Sequence, residues 1–216
     1  MNRPDVDAGA VRVRDNRNRD LGWALWSPRS EISLRLIERD PDAAIDAEWW
    51  LTKIRTAVSR RKPLDAVCNA YRLVHGEGDA LPSLVCDKYG SWLVVQLMSA
   101  GLEAFRAEIV SALQDVTRAE GILARNDAAL RAREGLARET TLISGEVPRE
   151  IEVQEYGIKY LAAPWTGQKT GAFLDQRENR RLAGEYARGR AVDCFSYHGS
   201  FAMHLAKNAA QVIAID

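Results

Sequence analysis

The stretch AVDCFSYHGSFAMHLAKNAAQVIAID, Ala191 to Asp216, decides the fold. Ala191 to Cys194 reads as a short β-strand, Phe195 to Ser200 as a tight turn, Phe201 to Asn208 as a helix and Val212 to Asp216 as a second strand. That is the opening β-α-β of a nucleotide-binding sheet. In such a unit the ligand lies outside the carboxyl ends of the strands, where small residues let the backbone approach it, and Gly199 and Ser200 meet that need. An acidic residue ending the second strand can accept hydrogen bonds from ribose hydroxyls. Asp216 follows Asp193 by 23 positions, close to the spacing of about 20 that this role requires. The turn holds one glycine where the dinucleotide fingerprint has three, so no pyrophosphate cradle forms. A cofactor with adenosine but no phosphate chain fits better, S-adenosylmethionine first. An unliganded structural β-α-β has the same spacing.

Working outward, GQKTGAFLDQRENR, Gly167 to Arg180, places two glycines around Gln-Lys-Thr at a turn before a helix. It does not match the phosphate-loop pattern of nucleoside triphosphatases. Asp175 as an N-cap, with Glu178 three residues on, would satisfy free helix amides. Gln168, Lys169, Thr170 and Arg177 are left for other work. Further upstream, Ile151 to Gln154 and Ile158 to Ala162 flank Glu155-Tyr156-Gly157 as a hairpin.

Before these lies an α+β stretch. Ala70 to His75, Ser83 to Asp87 and Trp92 to Met98 read as a β meander, Leu102 to Val116 as one amphipathic helix, Gly121 to Ala124 as a strand and Asp127 to Leu136 as a short helix. At the front, Val11 to Arg14, Leu21 to Leu25 and Glu31 to Glu38 read as three strands. The last alternates Ile32, Leu34 and Leu36 with Ser33, Arg35 and Ile37. A helix over 46–62 follows, opened by Asp46 and stopped by Pro63.

The 216 residues suffice for one to two domains, and 46% hydrophobic with 28% charged residues excludes the disordered, collagen-like and low-complexity classes. Thirty basic residues balance thirty acidic ones, so a globally cationic nucleic-acid binder is excluded while a local basic face is not. Arg12, Arg14, Arg17 and Arg19 form one cluster and Arg60, Arg61 and Lys62 another. A solvated strand edge and a helix end account for them equally. No apolar run approaches the 18 or so residues of a membrane span, and no apolar leader opens the chain. A cytoplasmic protein is expected. Cys68, Cys86 and Cys194 form neither a disulfide framework nor a zinc pattern.

On these segments the chain resembles the class I S-adenosylmethionine-dependent ribosomal RNA (cytosine-C5) methyltransferases of the large-subunit methyltransferase I type. The likeness rests on Gly167 to Arg180 and on Asp193 to Asp216. YRLVHGEGDALPSLVCDKYGSWLVVQ (Tyr71 to Gln96) resembles the family's central domain, and LGWALWSPRSEISLRLI (Leu21 to Ile37) the closing strands of its PUA domain, an RNA-binding barrel. The implied fold is α/β with α+β: a partial PUA-like unit over 1–40, a connecting helix over 41–62, a central α+β domain over 63–150, and over 151–216 the start of a Rossmann-like methyltransferase sheet. Relative to the family the chain looks truncated at both ends, the Asp-Pro-Pro motif and the nucleophilic cysteine lying past Asp216.

The resemblance implies S-adenosyl-L-methionine as cofactor. Tyr197, His198 and Gly199 would lie around its methionine and ribose, Asp193 would support the loop and Asp216 would bind the ribose hydroxyls. Lys169, Thr170, Phe173, Asp175 and Gln176 would close the cofactor from the other side. Many relatives have Thr where this chain has His198. Arg12, Arg14, Arg29 and Arg35 are the candidate contacts to RNA, the implied partner; no membrane partner and no metal are expected, and a homodimer is compatible with an exposed strand edge near Val212 to Ile215. In the implied chemistry a cysteine thiolate attacks cytosine C6 so that C5 takes the methyl group. None of the three cysteines suits that role, and no catalytic residue is assigned. His75 and His204 are read as structural. A non-catalytic RNA-binding module and a nucleotide-dependent oxidoreductase are the competing readings; the single-glycine turn opposes the latter.

Overall fold

The computed structural model describes residues 5–216, so the first four residues of the expected N-terminal unit lie outside it. The chain forms two compact units. One holds the residues through Lys62 with Leu73–Asp87 and Ser91–Val147; the other holds Pro63–Arg72, Lys88–Gly90 and Pro148–Asp216.

The first unit opens with a three-stranded antiparallel sheet, β1 (Gly9–Arg14), β2 (Asp20–Trp26) and β3 (Leu34–Glu38). Asp15 shapes the first turn by accepting the amides of Arg17 and Arg19 at 2.8 and 2.9 Å. The third strand begins three residues later than its alternation suggests. Its inward side carries Ile37, while Ile32 and Leu36 are exposed. With apolar residues on both faces, a period of two cannot say which face turns in; a register shift between Trp23 and Ala24 helps set it.

Helix α1 (Ala47–Arg61) starts where Asp46 accepts the Trp49 amide and buries Trp50, Ile54 and Ala57. It packs on α3 (Arg106–Thr117). The expected single helix over 102–116 is in fact two, α2 (Ala100–Glu103), capped by Ser99, and α3, with a break at Phe105. At the break the Phe105 ring packs on Trp50, 5.2 Å between centroids.

A five-stranded sheet runs in the order β4 (Ala70–His75), β5 (Leu84–Tyr89), β6 (Trp92–Leu97), β7 (Gly121–Asn126), β8 (Glu139–Gly145). β7 runs parallel to β6 and antiparallel to β8. The sequence reading missed β8: its polar ETTLISG carries little apolar alternation, and the wholly buried β7 supplies the pairing that makes it a strand. Between them α4 (Leu130–Arg133) is shorter than the expected helix over 127–136.

The second unit contains the hairpin β9 (Ile151–Glu155) and β10 (Ile158–Ala162), turned by Tyr156 and Gly157, both at positive φ, the conformation whose twist matches a two-residue hairpin. Helix α5 (Arg177–Tyr186) leads to β11 (Arg190–Cys194), α6 (Ser200–Leu205) and β12 (Gln211–Ile215). β11 and β12 pair in parallel, the arrangement expected from the sequence. Among the described residues no helix is long and apolar enough to cross a membrane.

Candidate functional site

The turn after β11 is fixed by main-chain and carboxylate bonds. The Ser196 amide donates to the Ile215 carbonyl at 3.0 Å and the Gly199 amide to the Ser196 carbonyl at 2.8 Å. Asp216 accepts the Tyr197 amide through Oδ1 at 2.9 Å, and Asp193 accepts the Ala202 amide through Oδ2 at 2.9 Å. Asp193 thus satisfies an otherwise free amide in the first turn of α6. Phe195 and Tyr197 lie at φ 63° and 51°, a conformation that is costly for side-chain-bearing residues and accumulates at functional loops.

Across from this turn lies Gly167–Gly171. The Gln168 amide donates to the Tyr197 hydroxyl at 3.1 Å. Lys169 Nζ pairs with Asp175 at 2.7 Å and lies 4.5 Å from the centroid of the Phe173 ring, which stands nearly perpendicular to the Tyr197 ring with centroids 5.7 Å apart. Tyr89 holds the segment from beneath: its hydroxyl is 3.2 Å from Thr170 Oγ1 and accepts the Ala172 amide at 3.1 Å. The expected capping by Asp175 is corrected here. A 3-10 turn over Leu174–Gln176 precedes α5, so Gln176 occupies the N-cap position with no side-chain cap bond, and Asp175 is free to bind Lys169. Burial would raise the Asp175 carboxyl, and the Lys169 ammonium outweighs it, so its pKa is lowered. Gln176 Oε1 accepts from Asn179 at 2.8 Å.

His198 sits between two tyrosines, stacked on Tyr160 at 4.9 Å and 16° and tilted against Tyr197 at 4.6 Å. Neither ring nitrogen has a hydrogen-bond partner among the described residues. Burial, helped by the Arg180 charge, depresses its pKa below the ordinary histidine value. Beneath lies a buried cluster of Glu155, Tyr160, Arg180 and His204. Only the structural reading of His204 anticipated it. Its members come from a hairpin and two helices, with no spacing to reveal them.

The arginines differ among themselves. Arg12 pairs with Asp20 and Asp42, Arg14 with Asp20, and Arg35 with Glu134, whose side chain is 1% exposed. Arg61 and Arg60 both reach the buried carboxylate of Asp79. Arg29 is exposed and has no ion pair among the described residues. Cys68 and Cys86 are buried and Cys194 is exposed; burial raises the Cys68 thiol pKa, opposite to what a nucleophile needs.

Cavities lie among the described residues of the second unit. One, of about 480 Å³, includes Asp65, Cys68, Asn69, Lys88 and Gln154 in its lining; another, of about 300 Å³, includes Arg181, Glu185, His204 and Lys207. Neither lining includes a residue of the 195–199 turn.

With this geometry in hand, comparison with solved structures defines the fold. Over 99% of its length the chain matches 56% of a Streptococcus mutans protein named as a SAM-dependent methyltransferase, with TM-score 0.83 and 24% identity. It matches 55% of a methyltransferase structure complexed with SAH equally well, at TM-score 0.83 and 22% identity. The fold is that of the corresponding parts of those proteins. Among curated sequences, the chain is 42% identical over 212 residues to ribosomal RNA large subunit methyltransferase I of Tolumonas auensis, covering 95% of this chain and 53% of the relative. It is 37% identical over 216 residues to the protein of that name from Aeromonas salmonicida, covering 98% and 54%. The chain spans about half the length of the curated relatives it matches. No family model matches it.

Proposed function

We propose that this chain carries the cofactor-binding turn and lid of an S-adenosyl-L-methionine-dependent methyltransferase acting on ribosomal RNA, with cytosine C5 of the large-subunit RNA as its target and the cytoplasm as its compartment. The observation that carries the reading is that Gly167–Phe173 meets the turn after β11, through the Gln168 amide on Tyr197 and the near-perpendicular contact of the Phe173 and Tyr197 rings. The names of the curated relatives support the RNA substrate, and the SAH-bound neighbour supports the cofactor.

The residues fit such a cofactor. A Cβ at Gly199 would meet nothing within 4 Å, so the main chain there faces open space. The His198 nitrogens lack partners among the described residues. The Tyr197 amide donates to Oδ1 of Asp216, and Oδ2 is the oxygen that would accept from ribose hydroxyls. When bound, S-adenosylmethionine supplies an electrophilic methyl group on a sulfonium. The chain's own part is to hold it. Asp193 keeps the turn on α6, Lys169 and Asp175 neutralise each other, and the Phe173 ring, packed against Tyr197, would help exclude water from the bound cofactor. The three-stranded N-terminal sheet, read as PUA-like, would supply the RNA contact. Calorimetric titration of the chain with S-adenosylmethionine and SAH tests the reading: saturable heat is expected, and no heat at millimolar ligand would favour an RNA-binding module without cofactor.

A further inference from the structure

Glu155, at the end of β9, is linked to both sides of the candidate site through its hydrogen-bond partners. It is fully buried and both its oxygens are engaged. Oε1 accepts from Arg180 Nε and lies 3.1 Å from His204 Nε2, while Oε2 accepts from Arg180 Nη2 at 2.7 Å and from the Tyr160 hydroxyl at 3.0 Å. Each partner leads onward. Arg180 Nη1 donates to the Phe173 carbonyl at 2.9 Å, which fixes the main chain at the residue whose ring meets Tyr197. Tyr160 stacks on His198 in the turn. His204 belongs to α6, the helix that the turn begins.

A buried ion pair contributes little net stability compared with an apolar cluster of the same volume, because desolvation offsets its attraction. Its consequence here is geometric. The planar fork of Arg180 can satisfy the carboxylate and the Phe173 carbonyl at once only in one orientation.

We propose that Glu155 is a positioning residue: through Arg180 it sets the lid, through Tyr160 the His198 ring, and through His204 the last turn of α6. For its effect on binding this rests on the reading that lid and turn enclose S-adenosylmethionine.

The test uses the full chain, with Glu155→Gln removing the charge at constant volume and Tyr160→Phe removing one arm. Glu155→Gln is expected to weaken SAH binding by about tenfold and Tyr160→Phe by about threefold, as for loss of charge-assisted and neutral hydrogen bonds. Without ligand, Glu155→Gln is expected to speed exchange of the Gln168 amide and shift the imidazole signals of His198, while β11 and β12 keep their protection. If Glu155→Gln does not fold, Arg180→Lys, which keeps the charge and loses the fork, is read the same way. Equal loss of protection across β9 to β12, or an unchanged Gln168 and His198, overturns the proposal. If the unmodified chain fails to bind SAH while Gln168 and His198 still respond, the cofactor reading fails and the positioning role stands.

Discussion

The main-chain N–H of Gln168 donates to the phenolic oxygen of Tyr197 over 3.1 Å, so the lid is tied to the turn by the side chain of a residue whose backbone adopts positive φ. The strain at Tyr197 and its hydrogen bond serve one geometry: the turn must present the phenol where the lid amide can reach it.

Tyr197→Phe removes the acceptor and leaves the ring contact with Phe173. Loss of one such bond costs about 0.5–1.5 kcal/mol, equivalent to about a two- to twelvefold weaker affinity for S-adenosylmethionine. Calorimetric titration of the variant beside the unmodified chain measures it. Unchanged affinity would show that the lid closes without this bond.

Two glycines of the same unit should respond differently. Gly199 lies at φ +75° with open space where a Cβ would go, whereas a Cβ on Gly184 in α5 would come 2.6 Å from the His204 carbonyl oxygen of α6. Gly199→Ala therefore loses about 1–2 kcal/mol through its left-handed conformation alone, and Gly199→Asn loses less. Gly184→Ala forces the two helices apart, with an expected loss of about 1–3 kcal/mol, typical of overpacking. Urea unfolding of the three variants checks the order; a milder effect of Gly184→Ala than of Gly199→Asn would contradict it.

Acid should weaken the first unit through Glu38. Lys53 is the main cause holding this carboxyl down to about 2, against a usual 4.5, with the Asp40 and Arg39 amides and the Trp49 indole also donating to it. A carboxylate depressed in the folded state contributes stability that is present above its unfolded pKa and lost as pH falls through the folded one. The window is therefore from about pH 5 down to about pH 2. Glu38→Gln should lower the urea midpoint at pH 6 and converge on the unmodified protein near pH 2. A constant gap across that range would show that the ionic contacts are not the source.

The parallel β11–α6–β12 unit was legible because its signals are local: a short strand of mostly small and apolar residues, a turn with one glycine, a helix, and an acid at the second strand's end. The same holds for Asp46 before α1. What was not legible depends on partners distant in sequence. β8 is a strand because β7 pairs with it; α2 and α3 separate where Phe105 meets Trp50; Asp175 gives up a cap for Lys169. The cluster around Glu155 joins residues 25 and 49 positions apart, beyond any helical or strand period.

The arginines proposed for RNA separate into two kinds, and the difference can be measured. Arg35 reaches Glu134, a carboxylate that also takes the Ser30 hydroxyl and the Ala100 amide. Removing Arg35 leaves that charge short of a buried partner, so Arg35→Ala is expected to act first on folding, with a loss of about 1–3 kcal/mol. Arg29 carries no such duty among the described residues. If it contacts phosphate, Arg29→Ala leaves the urea midpoint unchanged, weakens binding of RNA regardless of sequence, and reduces the slope of log affinity against log salt by about one. Arg12 and Arg14 share Asp20, and that carboxylate must be outcompeted by phosphate, so their single substitutions should affect RNA affinity less than Arg29→Ala. Filter binding at several salt concentrations, paired with urea unfolding of each variant, decides: an Arg29→Ala protein with full RNA affinity and unchanged salt slope removes this surface from the RNA contact.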